Sequence, residues 1–486
     1  MANRLAARNG GSIGLAALIA ILLIGLGLRV DYAWQGRTPV YDAVAYARIA
    51  ANLEEGNGFT AGPQATQPSS NYSPGLPLLV AGLYALGGGI HERLARVVLA
   101  LIGTLSVLFS YLIGRRLAAP AAGLIGALVV AVYPAFLEYQ GMLMGEPLAA
   151  ALLSGAVLAM LWASAAPAGG AGSGTLPESE PGMAIGGIRS PPSRAPSGGA
   201  WLLAGLLLGA LSLVRPEYLG VSVLLALLAF ALRWRDWRAG IMRAGILLLG
   251  VVIVVLPWTV RNVVALGRVV PISTGGGQVL FSGTYLPSDG DPQKVGEALL
   301  ERHRGLVRGL AAHYLPAGQA RGPLSAQREA VLARVRLEQI LAAYAAQRQP
   351  GVESDKALSQ IGREQLWSDV TEQPLQYGAF LATKVGAIWS HGPREVMRRP
   401  VWEALHWALV AFGLLGLIVL AQRRRWEALL LGTIFLSMTA ISALLVASPR
   451  RVLVMIPLVA ALGGVGVLWV YRQTRPSPDR HRPSRG

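Results

Sequence analysis

The sequence predicts an all-α polytopic membrane protein of about ten transmembrane helices, with re-entrant or interfacial helices and a helical loop region on the outer face. Three observations carry this. The 486 residues are 53% hydrophobic and only 14% charged, against about 25% charged in ordinary soluble domains. Uncharged runs of roughly 17–25 residues recur along the chain, the length that crosses about 30 Å of hydrocarbon. The basic residues cluster between those runs, as "GRRL" (114–117), "RWRDWR" (233–238), "QRRRWE" (422–427) and the tail "RQTRPSPDRHRPSRG". That placement follows the positive-inside rule, so the formal charge of +17 points to membrane topology and not to nucleic acid.

The spans are expected, in order, near 12–30, 93–113, 119–137, 148–164, 200–213, 218–232, 241–258, 402–421, 428–447 and 453–471. The N-terminal run resembles a signal peptide but lacks a convincing cleavage site before "RVDYAW", and it is long enough to stay as a span. Segment 74–90, "PGLPLLVAGLYALGGGI", is short and bounded by Pro and Gly, which suits a re-entrant or interfacial helix. The chain then divides into 1–164, an N-terminal transmembrane module with its first outer loop, and 165–199, a Pro/Gly/Ser-rich stretch expected to be a disordered cytoplasmic linker. Transmembrane helices follow over 200–258. Residues 259–401 carry charges between apolar residues at helical spacing, so amphipathic helices on the outer face are expected. The last spans occupy 402–471, and 472–486 form a basic cytoplasmic tail. No internal repeat is evident, which disfavours an inverted-repeat transporter.

Cysteine is absent, which excludes disulfides and Cys-based metal sites and leaves the redox compartment unread. The histidines His303, His313 and His391 are too scattered for a zinc site. "STGGG" (273–277) lacks the lysine of a phosphate-binding loop.

Two acids stand out. In "GRTPVYDAVAYARIAANLEEGNGF", Thr38 reads as an N-cap, Pro39 as the first helical position and Gly56 as the stop. Asp42 then lies in the first turn, on one face with Tyr46, Ile49 and Leu53. In "YPAFLEYQGMLMGEPLAAALL", Glu146 precedes Pro147 at the mouth of the fourth span. Either acid could simply complement a helix dipole, worth some 0.3–1 kcal/mol. Yet both fall on one predicted face beside apolar sequence, where a lone carboxylate is expensive. Cations are expected on the same face: Arg215 with Glu217 in "LVRPEYL", Arg261 in "LPWTVRNVVALGRVVPISTGGG", Lys384 and Arg394 in "TKVGAIWSHGPREV", and Arg450 with Arg451 in "ASPRRVLVMIP". Acids and cations together at a membrane surface suit a phosphorylated, lipid-anchored substrate: cations bind the phosphate and a carboxylate takes a proton.

The stretches "YDAVAYARIAANLEEGNGF…NYSPGLPLLVAGLYALGG", "LMGEPLAA", "VRPEYL", "PWTVRNVVALGRVVPIST" and "RRVLVMIPL" resemble, in order and spacing, bacterial membrane glycosyltransferases of the GT-C fold class. The nearest likeness is to those related to protein O-mannosyltransferases and lipid A aminoarabinose transferases (glycosyltransferase family 39-like). The resemblance implies an inverting transfer of a sugar from a polyprenyl-phosphate donor to a lipid, glycan or protein hydroxyl at the outer face of a bacterial cytoplasmic membrane. It makes Asp42 the catalytic base and Glu146 the second acid. Tyr46, Tyr72, Arg215, Glu217, Arg261, Asn262, Lys384, Arg394 and Arg450 are taken as candidate substrate contacts, with a phosphate role for Arg261 extrapolated from its place in the "PWxxRN" element. Many relatives carry two adjacent acids in the first loop, whereas here Ala43 follows Asp42. No cofactor is expected, and a divalent metal has no support in the sequence. The competing readings are a flippase or transporter of lipid-linked saccharides, and a structural assembly subunit.

Overall fold

A computed structural model describes residues 2–39, 42–62, 68–164, 197–289, 291, 294–390 and 392–474. The expected linker, apart from 197–199, and the tail beyond 474 lie outside the described residues, as does His391. Among the described residues the regular structure is helical, with no strand, as the composition predicts.

The first half comprises α1 (Ala2–Gln35), α2 (Asp42–Glu54), α3 (Gly75–Gly87), α4 (Glu92–Leu117), α5 (Pro120–Val132), α6 (Pro134–Gln140), α7 (Glu146–Ala163), α8 (Ser197–Val214), α9 (Tyr218–Ala231) and α10 (Trp237–Leu266). Next come eight shorter helices: α11 (Gly276–Thr284), α12 (Val295–Arg302), α13 (Arg304–Tyr314), α14 (Ala317–Ala320), α15 (Leu324–Arg334), α16 (Leu337–Arg348), α17 (Ser354–Glu372) and α18 (Pro374–Trp389). Three long helices close the chain, α19 (Pro400–Arg423), α20 (Arg425–Leu444) and α21 (Pro449–Thr474).

Among the described residues seven helices are long and apolar enough to cross a membrane, or eight if α5 and α6, bent by 49° at their junction, make one span. Ten were expected. The difference lies in α8 and α9, which are apolar but short; the 14 residues of α9 reach roughly 21 Å at 1.5 Å per residue. Pro134 opens α6 and interrupts the hydrogen-bond ladder there. The buried Arg29 of α1 takes up carbonyls this break leaves open, with Nη1 2.9 Å from Ala131 O and Nη2 2.7 Å from Val130 O. A charge inside the first apolar run is thereby satisfied within the bundle.

One hydrophobic core runs through the long helices. At its centre α21 packs on α4, α5, α7 and α19, while α8 packs on α7 and α10. A second core, around Phe281, Leu299, Leu306, Val307, Leu341 and Leu358, joins α11–α17, inside the stretch 259–401 where amphipathic helices were expected; the first residues of that stretch continue α10 to Leu266. The stretch after α2 is stitched to the stretch after α10: Thr274 N donates to Ser70 O at 2.7 Å, and the Thr274 hydroxyl donates to Asn71 Oδ1 at 2.7 Å. The Gly-rich turn is thus part of a latch between two segments far apart in sequence.

Candidate active site

Asp42 and Glu146 are the first residues of α2 and α7, where a negative charge complements the exposed amide dipoles. Thr38 and Pro39 lie in non-helical chain, so Pro39 is not the first helical position expected of it; Val40 and Tyr41, before α2, lie outside the described residues. Arg37 N donates to Gly141 O at 2.8 Å, which fixes the approach to α2 against the turn that leads into α7. The stop at Gly56 holds, with φ +80°. Tyr46 and Ile49 are buried on the face they share with Asp42.

A single arginine joins the two acids. Arg450, near the start of α21, places Nε 2.7 Å from Glu146 Oε1 and Nη2 3.1 Å from Asp42 Oδ2. A cation at a helix N-terminus is on the unfavourable side of the dipole, so this position depends on the carboxylates. Arg215, just past the end of α8, sits where the dipole favours a cation, with Nη2 2.5 Å from the same Glu146 Oε1. Burial alone would lower the Arg215 guanidinium, but the Glu146 carboxylate raises it overall. The acids differ in access: the Asp42 side chain is 38% exposed, that of Glu146 not at all. Glu146 Oε2 is enclosed with no hydrogen-bond partner among the described residues.

The remaining candidates fall into four places. Beside the acids, the Tyr46 and Tyr72 rings meet edge to face at 6.1 Å between centroids. Burial first, and then Asp42, pushes the Tyr46 phenol up, so it stays a donor at neutral pH. The Tyr72 phenol is likewise raised, by burial and then by Glu338 and Asp42, which brings the start of α16 within electrostatic range of the first loop. Glu217 pairs with Arg451 at 3.5 Å, and Arg451 also donates to Val446 O.

Arg261 and Asn262 lie on the last turns of α10 and hold loops. Arg261 Nη1 donates to Ser69 O at 3.1 Å, and its guanidinium lies over the rings of Trp258 (4.8 Å) and Phe59 (5.5 Å). Asn262 Nδ2 donates to Val270 O and Ile272 O at 2.9 and 3.1 Å. Lys384 is buried, and its Nζ donates to Gly283 O at 2.6 Å and Leu445 O at 2.5 Å. Arg394 places Nε 2.6 Å from Glu138 Oε2 and lies over the Tyr139 ring. Its φ of +81° is a region side chains disfavour, and these contacts hold it there. Glu138 and Tyr139 were not singled out in the sequence, and neither was the pairing of Glu217 with Arg451. Glu138 finds its partner 256 residues away, a separation no local pattern encodes.

A divalent cation finds no fitting donor set: among the described residues no three or more His, Asp or Glu side chains converge, and Arg450 already donates to both acids.

No protein-family model matches the chain, and no curated protein sequence does. Solved structures do. The archaeal oligosaccharyltransferase AglB from Archaeoglobus fulgidus, in complex with an inhibitory peptide and a dolichol-phosphate, superposes with a TM-score of 0.54 at 16% identity, over 95% of this chain and 50% of that one. The same enzyme tethered to an acceptor peptide gives 0.52 at 15% identity, again over 95% and 50%. ArnT from Cupriavidus metallidurans bound to undecaprenyl phosphate aligns at 15% identity over 92% and 77%, but its TM-score of 0.39 adds nothing to the fold assignment. The chain spans about half the length of the oligosaccharyltransferase it matches. What it shares with that protein is the architecture, and the chain has the GT-C fold.

Proposed function

We propose that this chain is an inverting glycosyltransferase that moves a sugar from a polyprenyl-phosphate donor to a hydroxyl acceptor at the outer face of the cytoplasmic membrane. The observation that carries the reading is the unequal acid pair: Asp42 partly exposed, Glu146 enclosed, one guanidinium bonded to both. In this reading 31–92 and 259–401 face outward, and 165–199 and the basic tail face the cytoplasm. A GT-C fold shared with an enzyme solved with a dolichol-phosphate supports a polyprenyl-phosphate ligand.

The acceptor oxygen attacks the anomeric carbon while its proton passes to Asp42. The bond from that carbon to the phosphate oxygen breaks, and the lipid phosphate departs with the electron pair. A hydroxyl is a weak nucleophile at neutral pH, and a positioned base contributes about 10²–10⁴-fold. The leaving group is already an anion-stabilising phosphate, so a strong general acid opposite the base is unnecessary. Glu146, closed off from solvent, positions Arg450, and Arg450 orients Asp42 and faces the phosphate side with its charge.

The test incubates purified protein with several polyprenyl-phosphate sugars and a lipid extract of the host, with products identified by mass spectrometry. Asp42→Asn keeps size and polarity but cannot take the proton. It is expected to bind donor normally and lose at least about 10²-fold in turnover. Near-normal turnover in that variant would remove Asp42 as the base.

A further inference from the structure

At the end of the bundle away from the acids, α4, α19 and α21 enclose a cavity of about 290 Å³. Arg450 and Arg472 stand near opposite ends of α21, and at 1.5 Å per residue they are roughly 33 Å apart. The cavity is therefore a membrane thickness from the acid pair and separate from it. Its lining is divided in character. Val419, Leu420, Val465 and Leu468 are apolar, while Arg423, Arg424 and Arg472 bring three guanidiniums. Of these, Arg424 is engaged, with Nη1 3.4 Å from Glu427 Oε1 and from Arg116 O. Arg423 and Arg472 have no ion pair among the described residues, and both are exposed.

A cavity that is cationic on one part and apolar on another, at the end of membrane-crossing helices, selects a ligand with both characters. The guanidinium fork matches phosphate oxygens, and basic recesses between transmembrane helices take anionic lipid headgroups. We propose that this cavity is a binding site for an anionic phospholipid, whose phosphodiester lies between Arg423 and Arg472 and whose acyl chain lies along Leu468 and Val419. The proposal is independent of the reaction at the other end. Plain snorkelling of span-end arginines would leave no preference for one lipid at these two residues.

The test is native mass spectrometry of the detergent-purified full chain titrated with phosphatidylglycerol, phosphatidylcholine or inorganic phosphate. Wild type is expected to retain phosphatidylglycerol in preference to phosphatidylcholine and to show no retained phosphate. The double variant Arg423→Gln/Arg472→Gln is expected to bind phosphatidylglycerol about 10- to 30-fold more weakly, at about 1 kcal/mol per removed cation. Gly82→Ala, at a position where an added Cβ meets open space, serves as a control and should bind as wild type. Equal binding of the two lipids would overturn the proposal, as would unchanged affinity in a double variant whose melting temperature without lipid matches wild type. Retention of inorganic phosphate alone would assign the arginines to a free anion and overturn it as well. If the double variant fails to fold, Arg472→Gln alone gives the same comparison.

Discussion

Arg450 lies closer to Glu146 than to Asp42, 2.7 Å against 3.1 Å. The enclosed carboxylate anchors the guanidinium, and the exposed one holds it more loosely. That ordering suits a pair in which one acid is fixed and the other exchanges partners with an incoming hydroxyl. It also separates the two acids experimentally.

Glu146→Gln leaves Arg215 and Arg450 without the carboxylate both of them share. Breaking a buried charge pair costs about 3–5 kcal/mol, so this variant should melt well below wild type in detergent. Asp42→Asn removes one partly exposed contact, worth at most about 1 kcal/mol. Equal melting temperatures for the two variants would show that Glu146 is not the anchor.

Arg261 bonds to the loop after α2, so its removal should loosen that loop. A charge-assisted hydrogen bond worth about 1.5–3 kcal/mol and two ring contacts are lost in Arg261→Ala. Limited proteolysis should then cut faster between residues 59 and 70, with donor affinity changed only in step with that loosening. A ten- to hundredfold loss of donor binding with unchanged protection would instead place Arg261 on the donor phosphate.

Lys384 offers a pH signature. Burial, helped by the nearby Arg451 charge, lowers its amine to about 8 from an ordinary 10.5. Between those values the unfolded chain binds more protons than the folded one, so this residue's contribution to stability rises with pH across about 8 to 10.5 and falls as pH drops through 8. The difference in melting temperature between wild type and Lys384→Met should widen over that interval in favour of wild type. A difference that stays flat would show that the amine is not depressed.

Sidedness can be read with introduced thiols, since the chain has none of its own. Ser325 is exposed among the helices that follow α10, and Gln422 is exposed at the far end of α19. Ser325→Cys should react with an impermeant thiol reagent in intact cells, and Gln422→Cys should be shielded. The reverse pattern would move the acid pair to the cytoplasmic face.

The long spans were legible because a run of apolar residues is a local property. So were the two acids, which stand out as isolated charges at the edges of such runs. The roles of the cations were not legible, because each is set by a distant partner. Lys384 reads as a free outer-face cation until Gly283 and Leu445, 101 and 61 residues away, close on it. Gly283 permits that approach, since a Cβ there would collide with the backbone of Leu445. The span expected over 119–137 ran through Pro134 unbroken; the bend between α5 and α6, and the use of Arg29 to cap it, depend on contacts with α1.

The two acids differ in how long each waits during synthesis for its counter-ion, and the enclosed one waits less. Glu146 is followed by Arg215 after 69 residues, whereas Asp42 waits 408 residues for Arg450. At about 5–20 residues per second, the carboxylate destined for the interior gains a counter-ion within roughly 3–14 s. The one left at the water's edge stays alone for roughly 20–80 s. The insertion machinery thus handles a lone acid longest where hydration costs least, and the site closes only when α21 arrives.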